Sequence, residues 1–144
     1  MKISTRGRYA LRIMLDLALA DSGSPVRVKD IAGRQEISEK YMEQIISILN
    51  KAGFVRSVRG PQGGYFLTKR PKEYTAGMIL RLTEGSLAPV DCVAYDNPGC
   101  SRRDGCATAL LWKKLDEAIR GVVDTVTLED LVSWSHEYGQ DYSI

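Results

Sequence analysis

The segment "ISEKYMEQIISILNKAGFVRSVRGPQGGYFLT", residues 37–68, decides the fold. Ser38 is a good N-cap, and the spacing predicts a helix from Glu39 to about Ala52, stopped by Gly53. Met42, Ile45, Ile46 and Leu49 form one apolar stripe at helical spacing, best read as core. Lys40, Glu43, Gln44, Ser47 and Lys51 fall on the other face. The runs "VRSVR" and "GYFLT" alternate like strands, and "GPQG" between them supplies a turn, so a hairpin follows the helix at once.

Upstream, Ser4 or Thr5 can cap a helix running to about Asp21, nearly apolar all round and expected to be buried. "DSGSP" breaks it, "VRV" is a short extended stretch, and a brief helix is expected around Lys29 to Arg34. A buried helix, two short helices joined by a tight turn and a basic hairpin describe a winged helix-turn-helix. The expected fold class is mainly α with a small β-hairpin wing and a long dimerisation helix. Residues 1–75 form the DNA-binding part, and 76–144 the sensor loop, about 91–107, and dimerisation helices.

In a helix-turn-helix the N-terminal half of the second helix lies nearest the base edges. Lys40 and Gln44 can donate to bases or phosphates, whereas Glu43 can only accept, which favours cytosine amino groups and repels phosphate. Ser38 and Tyr41 stand beside them, with Arg8 on the first helix. At the hairpin tip Gly60, Gly63 and Gly64 permit positive φ and close backbone approach, Gln62 sits between them, and Arg56 and Arg59 flank the tip as cations suited to a minor groove.

Charge agrees with this placement. Residues 1–75 carry 14 Lys/Arg against 7 Asp/Glu, whereas residues 76–144 carry 6 against 11, so the basic excess belongs to the expected DNA-binding half. The longest apolar run, "YALRIMLDLALA", is interrupted by Arg12 and Asp16 and is far short of the ~20 residues of a bilayer span. The start "MKISTRGRY" lacks a secretory signal, so the expectation is a cytoplasmic protein with no membrane partner. No phosphate loop, activated nucleophile or carboxylate pair is evident, which argues against an enzyme. A non-catalytic dimeric adaptor is a rival that predicts no salt-dependent DNA binding.

The second half reads as a dimer element. "TAGMILRLTEG" is a helix capped by Thr75, and "ALLWKKLDEAIRGVVDTV" places Leu111, Leu115, Ile119, Val122 and Val126 along one seam, with Leu110 and Ala118 on a second. Packing on two sides is what a dimerisation helix needs. Thr127, with Asp130, boxes the start of a final helix. Two-fold pairing would present two recognition helices about one DNA turn apart, roughly 34 Å, matching an inverted repeat.

All three cysteines, Cys92, Cys100 and Cys106, lie in "CVAYDNPGCSRRDGC", a loop rich in Gly, Pro, Asp and Asn before the long helix. Soft thiolates in a cytosolic loop suit Zn²⁺ or an iron–sulfur cluster, and gaps of seven and five residues depart from the spacing of a structural zinc knuckle. A thiol switch, with Arg102 and Arg103 depressing a cysteine pKa, is a further possibility.

"STRGRYAL", "ISEKYMEQI" and "VRGPQGGY" occur in order, and with "LWKKLDEAIRGVVDTVTLEDL" they resemble the Rrf2 family of bacterial winged-helix transcription regulators, the IscR/NsrR/CymR group, over about residues 1–132. The resemblance implies a homodimer on palindromic promoter DNA. It also implies a [2Fe–2S] cluster on Cys92, Cys100 and Cys106, serving iron–sulfur or redox sensing, and in IscR the glutamate matching Glu43 makes DNA choice depend on the cluster. The first cysteine gap is longer than in IscR, and the fourth ligand departs from the pattern. Ala109 stands where IscR has histidine, and Arg8 and Arg12 stand where NsrR and a relative use acidic or histidine side chains. His136 lies far away in the last helix; Asp91, Asp96 and Asp104, a water or a small thiol are the remaining donors. The start "MKIST" and the tail "EYGQDYSI" also resemble CymR, which works with cysteine synthase, and Tyr142, Ser143 and Ile144 match a tail that enzyme accepts. A cluster-free regulator of cysteine metabolism and a nitric-oxide sensor are therefore the alternatives.

Overall fold

A computed structural model describes residues 2–20, 23–94 and 105–142, with side chains described to Gly139. The elements in order are α1 (Thr5–Leu19), α2 (Val28–Gln35), α3 (Glu39–Lys51), β1 (Val55–Val58), β2 (Gly64–Leu67), α4 (Ala76–Glu84), α5 (Ala107–Val123) and α6 (Leu128–Tyr142). Short 3-10 turns occupy Pro71–Glu73 and Asp91–Val93. The mainly helical class and the hairpin expected from sequence are both present.

α1 is the spine, packing against α2, α3, α4, α6 and β2. Ser4 starts it by accepting a hydrogen bond from the Gly7 amide at 3.1 Å. The expectation of a helix buried all round is corrected here. Ala10, Ile13, Met14 and Leu17 face the core, while Arg6, Arg8 and Arg12 are exposed, the last two on one face. The period of 3.6 puts the arginines at 8 and 12 one turn apart, so the apolar face covers one side only.

Ile13, Met14, Ile31, Met42, Ile45 and Leu49 are fully buried. Each such side chain contributes roughly 1.5–3 kcal/mol of transfer free energy. The same core takes Tyr74, Ile79 from α4 and Leu128 from α6. Between α2 and α3 the chain turns at Glu36, a non-glycine residue in the left-handed region at φ 55 and ψ 44. The Ile37 amide then donates back to the Ala32 carbonyl at 3.1 Å, closing the tight turn.

α5 buries a charge and exposes apolar side chains. Its buried residue is the charged Asp116, paired with Arg120 at 2.8 Å, while Leu110, Leu111, Leu115 and Val122 are exposed at 64, 55, 41 and 60%. On the side facing α4, Arg81 grips Asp124 through two nitrogens. Of the predicted seams, Leu110, Leu111, Leu115, Ala118 and Val122 stand open, whereas Ile119 and Val126 are half-buried. The caps expected at Thr75 and Thr127 are formed: Thr75 Oγ1 accepts from the Met78 amide at 3.1 Å, and Thr127 exchanges bonds with Asp130 at 2.9 and 3.1 Å.

Candidate DNA-binding surface and cysteine loop

α3 is fixed by what it buries. Met42, Ile45, Ile46 and Leu49 lock one face into the core, so Lys40, Glu43 and Gln44 project together on the exposed face. Ser38 Oγ accepts from the Tyr41 amide at 3.2 Å and holds the first turn. The half-buried Tyr41 ring meets Tyr9 of α1 edge-on, with centroids 5.8 Å apart, and the Arg12 guanidinium lies over the Tyr9 ring at 5.2 Å. Arg12 also donates from Nε to Gln35 Oε1 at 3.0 Å and to the Gln35 carbonyl. Arg12 is thus committed to joining α1 with the end of α2. Arg8 is exposed and reaches Thr5 Oγ1 at 3.2 Å.

The wing pairs Val55 with Leu67, Arg56 with Phe66, Ser57 with Tyr65 and Val58 with Gly64. Of the tip glycines only Gly60 (φ 112) and Gly64 have positive φ. Gly63 is required for a different reason: a Cβ there would run into the Val58 carbonyl, just as one at Gly64 would run into the Val26 backbone. Val26 and Tyr65 exchange two backbone hydrogen bonds at 2.8 Å, an isolated bridge that ties the wing to the chain before α2, and Arg27 donates to the Pro61 carbonyl at its tip. Arg56 stacks over Phe66 at 4.7 Å. Arg59 and Gln62 are exposed at the tip, and among the described residues Arg59 makes no ion pair.

Two of the three cysteines are described. Cys92 sits half-buried in the turn Asp91–Val93, and Cys106 is the residue immediately before α5, also half-buried. The Thr108 hydroxyl, 3.1 Å from Cys106 Sγ, holds that thiol below the ordinary cysteine range, helped by the backbone amides of Ala109 and Thr108 at the helix N-terminus. A thiol that ionises readily is the donor chemistry a soft metal needs, so the described residues fit thiolate ligation. Cys100, Asp96, Arg102, Arg103 and Asp104 lie outside the described residues. Among the described residues no group of three His, Cys, Asp or Glu is gathered as a metal site. Asp91 and His136 are both exposed.

Residues 3–133 match the Rrf2 family, described as iron-dependent transcriptional regulators. This chain belongs to the Rrf2 family. As an Rrf2 protein it is a DNA-binding transcription regulator and not an enzyme. It is 42% identical over 135 residues to the HTH-type transcriptional regulator CymR of Bacillus subtilis, covering 94% of this chain and 92% of that one. It is 41% identical over 133 residues to the HTH-type transcriptional regulator IscR of Serratia proteamaculans, covering 92% of this chain and 80% of the relative. Among solved structures, T. potens IscR superposes with a TM-score of 0.77 at 39% identity, covering 96% of this chain and 90% of that one. The structure of B. subtilis CymR, titled the global cysteine regulator of that organism, gives the same TM-score at 42% identity, covering 93% and 98%. No helix among the described residues of this Rrf2 regulator is long and apolar enough to cross a membrane.

Sequence reasoning missed the residues that hold the reading head together. Asp16, 5% exposed, accepts from Arg34 Nε and its terminal nitrogen at 3.0 and 2.7 Å and from Gln35 Nε2 at 2.9 Å. Its signal was available, since it is the one carboxylate in the apolar repeat of α1. Arg27 gave none, because its partner, the Pro61 carbonyl, is 34 residues away in sequence.

Proposed function

We propose that this Rrf2 regulator acts in the cytoplasm as a homodimer on an inverted-repeat promoter site. In this reading it senses iron–sulfur or redox status through the loop bearing Cys92, Cys100 and Cys106. The observation that carries the reading is the position of Cys106. Its thiol, held below the ordinary range by the Thr108 hydroxyl 3.1 Å away, lies on the residue immediately before α5, a helix that exposes Leu110, Leu111, Leu115 and Val122. Residues 1–75 read DNA, and residues 76–144 carry the sensor loop and the dimer helices. Exposed apolar side chains at 110, 111, 115 and 122 support pairing through α5, since contiguous exposed apolar surface marks interaction sites.

Cys92, Cys100 and Cys106 would hold a [2Fe–2S] cluster, which when bound supplies a redox-labile centre. The chain's own part is mechanical. Holding sulfurs 92 and 106 together would fix the segment between them and the first turn of α5, and α5 in turn is clamped to α4 by Arg81 and Asp124. Lys40, Gln44 and Arg59 supply donors and cations to DNA, and Glu43 selects against phosphate and for cytosine. Asp91, beside Cys92 and exposed, is the described carboxylate nearest in sequence for a fourth bond.

The test is protein purified without oxygen, its absorption spectrum recorded and its iron and sulfide counted. Footprints of this protein and its Cys92→Ala variant are then compared on promoter DNA. Two irons and two sulfides per chain with different footprints are expected; a colourless, zinc-containing sample or identical footprints would refute the cluster reading.

A second reading has its own support in the relative named as the global cysteine regulator, 42% identical to this chain. In it the protein works without a cluster, regulating cysteine metabolism with cysteine synthase, and Tyr142–Ile144 is the docking tail; Ser143 and Ile144 lie outside the described residues. Co-purification with cysteine synthase that disappears on deleting Ile144 would favour it. Direct thiol oxidation at Cys106, or reaction there with nitric oxide, is a variant of the same cluster-free chemistry.

A further inference from the structure

Tyr74 is fully buried and touches neither the exposed face of α3 nor the wing tip. A phenol can donate one hydrogen bond and accept two, and Tyr74 uses all of this capacity at one place. Its hydroxyl donates to the Phe54 carbonyl at 2.7 Å and accepts from the Thr68 and Lys69 amides at 3.2 and 3.1 Å. Phe54 immediately precedes β1 and Thr68 immediately follows β2. The phenol therefore closes the open end of the hairpin, opposite the Gly60–Gly63 turn. Thr68 Oγ1 adds a bond to the Gly53 carbonyl at 2.7 Å, and the Tyr74 ring meets Phe54 edge-on at 5.7 Å.

The main chain of the same residue points elsewhere. Its carbonyl accepts from the amide of Leu128, the first residue of α6, at 2.9 Å, and next to it the Ala76 amide donates to Val126 at 2.9 Å. One residue thus holds the wing base by its side chain and the α5–α6 junction by its backbone. A two-stranded ribbon of four residue pairs has little stability of its own, so its orientation is set by what grips its ends.

We propose that Tyr74 is a positioning residue for DNA recognition, fixing the wing, and with it Arg59, relative to the α5–α6 junction. Its consequence for DNA rests on the reading in which the wing contacts DNA; its consequence for the wing does not. On loss of the phenol the Thr68 amide keeps only its longer bond to the Phe54 carbonyl, at 3.3 Å, and the amide of exposed Lys69 can turn to water, so the fold survives while the wing loosens.

The test is Tyr74→Phe in the full chain. Amide hydrogen exchange of the free protein should quicken at Thr68, Lys69 and the β1–β2 amides by roughly two- to tenfold, the worth of one hydrogen bond, with α2 and α3 unchanged. Thr68→Ala, which leaves the buried ring in place, should give the same pattern at smaller amplitude. On a duplex selected from a randomised pool, the losses from Tyr74→Phe and Arg59→Ala should overlap, while those from Tyr74→Phe and Lys40→Ala should multiply. Unchanged wing exchange in both variants, or losses from Tyr74→Phe and Arg59→Ala that multiply, would overturn the proposal. If Arg59→Ala alone leaves affinity unchanged, the DNA-contacting wing is what fails, and the exchange result decides Tyr74 by itself.

Discussion

Asp16 of α1 and Arg34 of α2 form a two-pronged ion pair, 3.0 and 2.7 Å between nitrogen and oxygen, in which the carboxylate is 5% exposed and the guanidinium 50%. Gln35 supplies a third donor to the same carboxylate, and Arg12 returns from α1 to Gln35. The first helix of the helix-turn-helix is therefore bolted to the spine by polar bonds at its C-terminal end.

Removing the carboxylate should test that bolt. Breaking a fully buried pair costs about 3–5 kcal/mol, but Arg34 can rehydrate, so Asp16→Ala is expected to cost about 2–3 kcal/mol in urea unfolding. Gln35→Ala should cost about 1 kcal/mol.

The Arg81–Asp124 clamp should give an acid-dependent contribution. Arg81 holds the Asp124 carboxyl below the ordinary range, first by direct hydrogen bonding and then by charge. Its stabilisation is therefore fully present above the unfolded carboxylate value of about 4 and lost as pH falls through the lower folded value. Both partners are about 40% exposed, so the effect is expected to be at most about 1 kcal/mol. The melting temperatures of the parent and Arg81→Gln should differ at pH 7 and converge near pH 2.

Cys106 should be the quicker of the two described thiols. In reduced, metal-free protein, iodoacetamide at neutral pH is expected to label Cys106 before Cys92, as read by peptide mass spectrometry. Thr108→Val should slow Cys106, because it removes the hydroxyl that contributes most to lowering its pKa.

On DNA, cations and the lone acceptor should separate cleanly. Arg59→Ala and Lys40→Ala are each expected to reduce the slope of log affinity against log salt by about 1 if they meet phosphate. Glu43→Ala should instead relax discrimination at one or two base pairs by about 1–3 kcal/mol, with non-specific affinity equal or higher.

For assembly, Leu115→Glu is the informative change. Leu115 is 41% exposed on the protomer, so the fold should tolerate the charge, whereas a paired α5 seam should not. Light scattering is expected to shift towards a monomer with unchanged helical circular dichroism.

The parts legible in the sequence were those whose causes are local. The stripe of Met42, Ile45, Ile46 and Leu49, the caps at Ser38, Thr75 and Thr127, and the turn at Gly60 each lie within a few residues of the element they determine. Glu36 was unreadable because a left-handed glutamate is tolerated only where the packing of α2 on α3 demands it. α1 was read as too apolar, since its arginines had to be placed on a three-dimensional face before their exposure was evident. The burial of Asp116 was hidden for a related reason: its partner Arg120 is one turn away, but which face of α5 turns inward is set by packing on α4, where Arg81 meets Asp124.

Leu128, at the start of α6, is fully buried in the same core as the inward side chains of α3, and α6 packs against α1. During synthesis, then, the recognition helix emerges from the ribosome long before the side chain that completes its core. A nascent chain lacking α6 should be a poor competitor for operator sites and a good substrate for proteases. A fragment ending after the wing should accordingly unfold at lower urea than the full chain.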